Sequence, residues 1–193
     1  SDEKRFKEAT ELSDFVITIS YAAKDTAEQP WARLANAQLL QDQEKYPEAI
    51  AECDKAVAAA LLAKDKEVEL QASNKKSFCL IKLVRYKEAL ANSDQIAAKL
   101  AVYKPVILPF VYYKNLQKVY EYRSTVLYKT GDYEKALTVL DSAIAANDQI
   151  NSYDARIINA EHYKFTGDVN NDQGKHGKAL EAYAADRKDN IPV

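Results

Sequence analysis

Apolar residues recur along most of this chain at steps of three and four, the period of a helix with one buried face. Phe6, Ala9, Leu12, Val16, Ile17 and Tyr21 form the first series and predict an amphipathic helix over residues from about 3 to 27. Within it the run Phe15-Val-Ile-Thr-Ile19 has a strand-like composition. The period continues through both flanks, so helix is the expectation. After Pro30 come Trp31, Leu34, Ala35, Ala37, Leu39 and Leu40, then a polar turn Gln41 to Lys45. A second helix is expected from about Pro47 to Lys64, since Pro at a first helical position costs no hydrogen bond. Further helices are expected over Val68 to Leu83, Tyr86 to Tyr103, Pro109 to Lys129, Tyr133 to Ala146, Tyr153 to Phe165 and Lys175 to Arg187.

One phrase recurs at the start of every second helix: Tyr46-Pro-Glu-Ala-Ile50, Tyr86-Lys-Glu-Ala-Leu90, Tyr133-Glu-Lys-Ala-Leu137 and, more weakly, His176-Gly-Lys-Ala-Leu180. The intervals are 40, 47 and 43 residues, and self-similarity at such a period marks a stacked helical array. Ala49, Ala89, Ala136 and Ala179 fall where the two helices of a hairpin approach closely, and a larger side chain there would push them apart. Two segments break the rhythm. Tyr103-Lys-Pro-Val-Ile-Leu-Pro109 holds two prolines that exclude a continuous helix. Gly167-Asp-Val-Asn-Asn-Asp-Gln-Gly174 is expected to lengthen the turn of the last hairpin by about seven residues.

These residues resemble the tetratricopeptide repeat (TPR) family, in its extended-helix form with about four repeats. The third repeat matches most fully, through Tyr120, Ser124, Leu127, Gly131, Tyr133, Ala136, Leu140, Ala143 and Ile144. Trp31, Leu34, Ala35, Tyr46, Ala49 and Ala56 carry the first repeat, provided its first helix is two residues longer, and Ser77, Leu80, Tyr86 and Ala89 carry the second. The resemblance implies an all-α fold, an α-solenoid (superhelix) of about four TPR-like hairpins. The expected single domain has a capping helix over 1–29 and hairpins over 30–65, 66–104, 109–147 and 151–188.

The resemblance further implies a protein-protein interaction adaptor that holds a peptide or partner helix in the concave groove of the first helices. Projecting the third repeat puts Lys118, Tyr122, Thr125 and Lys129 in that groove, with Asn74, Lys75, Phe78 and Lys82 from the second repeat and Arg33 and Asn36 from the first. The lining is basic and aromatic, a combination that suits an acidic or C-terminal peptide. Chaperone-binding members grip a terminal carboxylate with five residues, of which only Asn36 and Lys118 have counterparts. Two alternatives stand beside the adaptor: a structural subunit that self-assembles as a homo-oligomer, and a cell-envelope scaffold associated with carbohydrate or a small ligand.

Composition narrows the chemistry. The 193 residues are 47% apolar, enough for one substantial core, with only four glycines and five prolines. A net charge of −2 offers no basic field for nucleic acid. No apolar run approaches the length of a bilayer span. The charged N-terminus lacks a signal-peptide core, and the chain has no methionine, which reads as a processed protein or an excised piece. The cytoplasm is the expected compartment, with the periplasm or envelope as the alternative for a processed chain. Cys53 and Cys79 fall at apolar-facing helical positions and read as buried thiols, although their helices are expected to pack and a disulfide is the alternative.

Asp168, Asn170 and Asp172 fit the opening of a calcium loop, but Gln173 and Ala179 replace the glycine and the bidentate glutamate that such a loop needs. His162 and His176 have no zinc-site spacing, and no nucleophile-elbow, phosphate-loop or dinucleotide motif occurs. No enzyme activity and no cofactor are expected.

Overall fold

The computed structural model describes residues 2–22, 27–150 and 152–189, and among them every regular element is an α-helix. In chain order these are α1 (Asp2–Ala22), α2 (Glu28–Asp42), α3 (Tyr46–Ala63), α4 (Lys66–Lys82), α5 (Tyr86–Tyr103), α6 (Pro109–Lys129), α7 (Tyr133–Asp148), α8 (Tyr153–Asp172) and α9 (His176–Asp189). The first helix is expected to run to about residue 27, and positions 23–26 lie outside the described residues. Pro30 sits in the first turn of α2, where backbone amides have no helical partner.

The chain divides into two compact units, Ser1–Ile107 and Leu108–Val193. The division falls in the segment that Pro105 and Pro109 keep from being helical. In the first unit α1 packs on α2, α2 and α3 form a hairpin, α3 packs on α4, and α4 and α5 form the next hairpin, with α2 and α4 side by side. In the second unit α6 and α7 form one hairpin and α8 and α9 another, joined by packing of α7 on α8.

All four hairpins turn in the same way. Two residues before Tyr46, Tyr86, Tyr133 and His176 the backbone enters the left-handed region, at Glu44 (φ 58°), Val84 (φ 60°), Gly131 (φ 85°) and Gly174 (φ 70°). The N–H of each bonds the carbonyl three residues back, and the next N–H bonds the carbonyl five back: Lys45 to Leu40, Arg85 to Leu80, Asp132 to Leu127 and Lys175 to Asn170, at 2.8–2.9 Å. This pair of hydrogen bonds closes the helix end and satisfies its last carbonyls. Glycine adopts the conformation freely, whereas the β-branched Val84 is strained by about 1–3 kcal/mol.

A series of small residues sets how close each pair of helices comes. Ala49, Ala89, Ala136 and Ala179 are all 2% exposed or less. Twelve residues before each stands another small residue, Ala37, Ser77, Ser124 and Gly167, and all four are buried. The Ser124 hydroxyl donates to the Ala136 carbonyl at 2.7 Å. Other apolar residues pack around this spine, as in the cluster of Leu34, Ala56, Ala60, Val68 and Ala72 shared by α2, α3 and α4. Buried carboxylates tie the hairpins of the first unit: Glu52 of α3 bonds Arg33 of α2 at 2.7 Å, and Glu69 of α4 accepts from Tyr103 at 2.8 Å and pairs with Lys99 at 2.6 Å, both on α5.

The small-residue series corrects two sequence expectations. Ala37, not Ala35, occupies the close-contact position of the first repeat, so no two-residue slip exists; Ala35 and Trp31 face solvent. Gly167 to Asp172 is helix, not loop, because the fourth hairpin keeps the three-residue turn Gln173 to Lys175 and lengthens α8 instead. The expected capping helix is α1, which packs on α2. It covers α2 through contacts such as Ser13 to the Ala32 carbonyl, but its outer side exposes Leu12, Phe15, Val16 and Ile19 by 40–63%. Glu8, Glu11, Asp14 and Thr18 are exposed on the same helix, so the apolar stripe is bordered by polar residues.

Gly167 provides a sharp test. A Cβ built there would lie 2.3 Å from the Tyr183 ring of α9. Gly167→Ala raises helix propensity by about 1 kcal/mol, yet the overpacking is expected to leave the variant about 1–2 kcal/mol less stable. Thermal denaturation checks the sign, and Tyr183→Leu in the same chain should restore most of the loss.

Candidate functional site

Lys118, Tyr122, Thr125 and Lys129 lie at fixed offsets from Ser124, and the same offsets from the other small residues define one helix face in each hairpin. The equivalents are Trp31, Ala35, Gln38 and Asp42 on α2, Gln71, Lys75, Phe78 and Lys82 on α4, and Glu161, Phe165, Asp168 and Asp172 on α8. Every one of these positions is exposed or half-buried. The close-contact residue points into the hairpin, so offsets of −6, −2, +1 and +5 turn these side chains away from it.

In the first unit the face is a seam between α2 and α4. The Lys75 ammonium donates to the Gln38 side-chain carbonyl across it, and burial lowers the affinity of Lys75 for its proton. Phe78 meets Tyr46 edge-on at 6.4 Å, and Lys82 stands 5.3 Å above the Phe78 ring. Trp31, 42% exposed, stands at the start of the same face. Three other expected groove residues are elsewhere. Asn36 and Asn74 are 8% and 5% exposed, packed between helices. Arg33 is spent on Glu52, with 14% of its side chain exposed. They were displaced because the first repeat has no register slip and because Asn74 precedes the face by one residue.

In the second unit Lys118 pairs with Glu121 at 2.9 Å and lies 6.0 Å from the Tyr122 ring. Lys129 stands 5.3 Å over Tyr128. The Thr125 hydroxyl turns back to the Glu121 carbonyl at 2.9 Å. On α8 the face changes sign. Tyr128 donates to Asp172 at 2.5 Å and stacks edge-on against Phe165 at 5.2 Å, while Tyr183 donates to Asp168 at 2.8 Å. The calcium-loop reading of Asp168, Asn170 and Asp172 does not hold: all three are in α8, Asn170 is buried with its amide on the Thr166 carbonyl, and helical geometry cannot wrap their oxygens around one ion. Among the described residues no His, Cys, Asp and Glu cluster is placed to hold a metal.

Sequence reasoning missed Trp31, Gln38, Phe165 and the Glu121 cluster. Trp31 and Gln38 follow from the correct register, whereas Glu121 carries a signal only in its i+3 relation to Lys118. Glu121 also accepts from Gln117 at 2.6 Å, and the buried His162 of α8 lies 3.2 Å from Gln117 and 3.6 Å from Glu121. The two thiols are free and buried, and desolvation pushes Cys53 up to about 12 and Cys79 to about 11, which leaves them unreactive.

Burial pushes the Glu121 carboxyl up, but the His162 hydrogen bond and the Lys118 charge outweigh it and bring the group from 4.5 down to about 2. A depressed carboxylate contributes stability that is present above its unfolded value and lost as pH falls toward the folded one. Wild type is therefore expected to exceed Glu121→Gln by about 2 kcal/mol at pH 6. Denaturant titrations between pH 6 and 2 should show that margin shrinking below pH 4.5 and vanishing near pH 2.

The geometry of stacked hairpins has counterparts among solved structures. No protein-family model matches the chain, and no curated protein matches it by sequence. A Rap protein complexed with Competence and Sporulation Factor is similar over 97% of this chain and 50% of its own, at a TM-score of 0.74 and 16% identity. This chain thus spans half the length of that protein. The TPR-like repeats of a kinesin light chain from Podosopora anserina are similar over 97% of this chain and 88% of theirs, with a TM-score of 0.66 and 14% identity. MamA from Desulfovibrio magneticus RS-1 covers 93% of this chain and 94% of its own, at 0.57 and 15%. At such identities the likeness establishes the fold: the chain is built of TPR-like helical repeats.

Proposed function

We propose that this chain is a non-catalytic protein-binding module that takes a peptide or partner helix, acidic in character, along the solvent-facing side of the first helices of a unit. The observation that carries this reading is the set of lysines standing over aromatic rings on that side: Lys82 on Phe78 in the first unit, and Lys118 on Tyr122 in the second. Each pair joins apolar area to a positive charge, the pairing that anchors a carboxylate-bearing side chain beside a hydrophobic one. The Rap protein of similar fold is itself complexed with another factor, which supports a binding role. No catalytic motif in the sequence competes with it.

Trp31 lies on the proposed face and is the chain's single tryptophan, so its emission reports occupancy. Peptides selected from an acidic array are expected to shift that emission and to bind at least tenfold more weakly to Phe78→Ala or Lys82→Glu, both with unchanged helical content. Equal affinity in the variants would overturn the reading.

A second reading is self-association, favoured by the exposed apolar stripe of α1. Sedimentation velocity should then show a mass that rises with concentration in wild type and stays monomeric in Phe15→Ser.

A further inference from the structure

The phrase that opens each second helix also occurs in α1. It reads Phe6-Lys-Glu-Ala9, stands 40 residues before Tyr46-Pro-Glu-Ala49, and differs from Tyr86-Lys-Glu-Ala89 only in its aromatic residue. By this register α1 corresponds to α3, α5 and α7, and can be compared with them at fixed offsets from the alanine. Eleven residues on, Asn147 of α7 donates to Asn159 of α8, the first helix of the hairpin that follows, at 2.9 Å. The counterpart on α1 is Ser20, whose carbonyl accepts from Gln29 of α2 at 3.4 Å, and both residues are buried. This side of α1 is filled by α2.

Three and ten residues on, second helices meet the first helix of their own hairpin. At the nearer offset Glu52 bonds Arg33 of α2, and Asn92 donates to the Ser73 carbonyl and the Ser77 hydroxyl of α4 at 2.7 and 2.8 Å. At the farther one Lys99 pairs with Glu69 of α4. Between them, seven residues on, Ala56, Ile96 and Ala143 are buried. On α1 these three offsets are Leu12, Val16 and Ile19, which are 63%, 40% and 49% exposed, and Ala9 itself is half-buried. The apolar stripe of α1 is thus the side on which α3 and α5 carry their hairpin partners.

We infer that this side of α1 takes a helix from another protein, docked antiparallel to α1 as the first helix of a further hairpin. The hairpins themselves specify its chemistry. Ala37, Ser77, Ser124 and Gly167 are the small partners of the four alanines, so the docking helix presents Gly, Ala or Ser to Ala9; a larger residue would hold the helices apart. Beside that residue it carries apolar side chains at steps of three and four, the form in which a helix is recognised by an apolar face. Leu12 stands where Glu52 holds Arg33, and Ile19 where Lys99 holds Glu69, so a helix with a charge at either facing position is rejected. Of the chain's own first helices, α6 has the required chemistry: Ser124 is its small residue, and it packs on α7, whose Val139, Ala143 and Ala146 fill the three offsets with apolar groups. The inference adds a second binding surface and does not depend on the first-helix face.

A fluorescein-labelled peptide of residues 109–129, titrated against the full chain by anisotropy, tests it. Saturable binding is expected, and a peptide of residues 66–82, which brings Glu69 to Ile19, should bind about tenfold more weakly. Leu12→Ser in the chain should lower affinity for the first peptide about tenfold. Ala9→Leu separates a hairpin contact from adventitious adhesion: added apolar surface strengthens adhesion, whereas a close helix contact loses about tenfold. Circular dichroism confirms that both variants fold. Absence of binding by the 109–129 peptide overturns the inference, and so does an affinity that Ala9→Leu leaves unchanged or raises. A chain whose mass doubles with concentration, shedding the peptide as it does so, overturns it in favour of a second copy on α1. Phe78→Ala, which tests the first-helix face, should leave this affinity unchanged, so either proposal can fail while the other stands.

Discussion

Everything in this molecule hangs on how closely two helices of a hairpin approach. Eight small residues in four pairs, from Ala37 with Ala49 to Gly167 with Ala179, hold that distance. A methyl group or a bare backbone lets one helix settle into the groove of the other, and interiors packed to crystal density transmit any excess volume to neighbouring elements. Once the pairs fix the separation, the rotation of each helix is fixed as well. Rotation in turn decides which side chains are shut inside and which look outward, so the position of Lys82 or Tyr122 is a consequence of an alanine or serine one turn away.

That dependence explains what was legible in the sequence. The helices, the hairpins and the repeat could be read because an aromatic residue and an alanine three places later mark each second helix, and the apolar period marks the rest. The candidate face was legible only where the register was anchored. In the third repeat Ser124 set it, and Lys118, Tyr122 and Thr125 are half-buried and Lys129 exposed. In the first repeat Trp31 and Ala35 imitated core positions, which pulled the reading two residues off and put Asn36 and Arg33 on a face they do not share. Gly167 and Gly174 looked like the ends of a loop because glycine pairs usually are. In fact one is a helix contact and the other a turn, and only the twelve-residue spacing to Ala179 separates the two roles.

Charge adds a second layer that the sequence conceals. The charged residues first expected on the face, Arg33, Lys75, Lys82, Lys118 and Lys129, are all basic, but Glu52 pairs with Arg33 and Glu121 with Lys118. Carboxylates drawn into a hairpin in this way are costly to desolvate and hold their partners in a fixed geometry. Their effect is to ration positive charge. Lys82 and Lys129 stay exposed above aromatic rings, and Asp168 and Asp172 reverse the sign on α8.

The left-handed turns divide the two units in another respect, that of folding order. Gly131 and Gly174 close their hairpins without backbone strain, whereas Glu44 and Val84 must be forced into the same conformation. A hairpin with an unstrained turn can form from local contacts alone. One built around Glu44 or Val84 closes only when the packing of its helices offsets the strain, so the hairpins of the second unit are expected to form more readily on their own than those of the first, independently of what the finished surface binds.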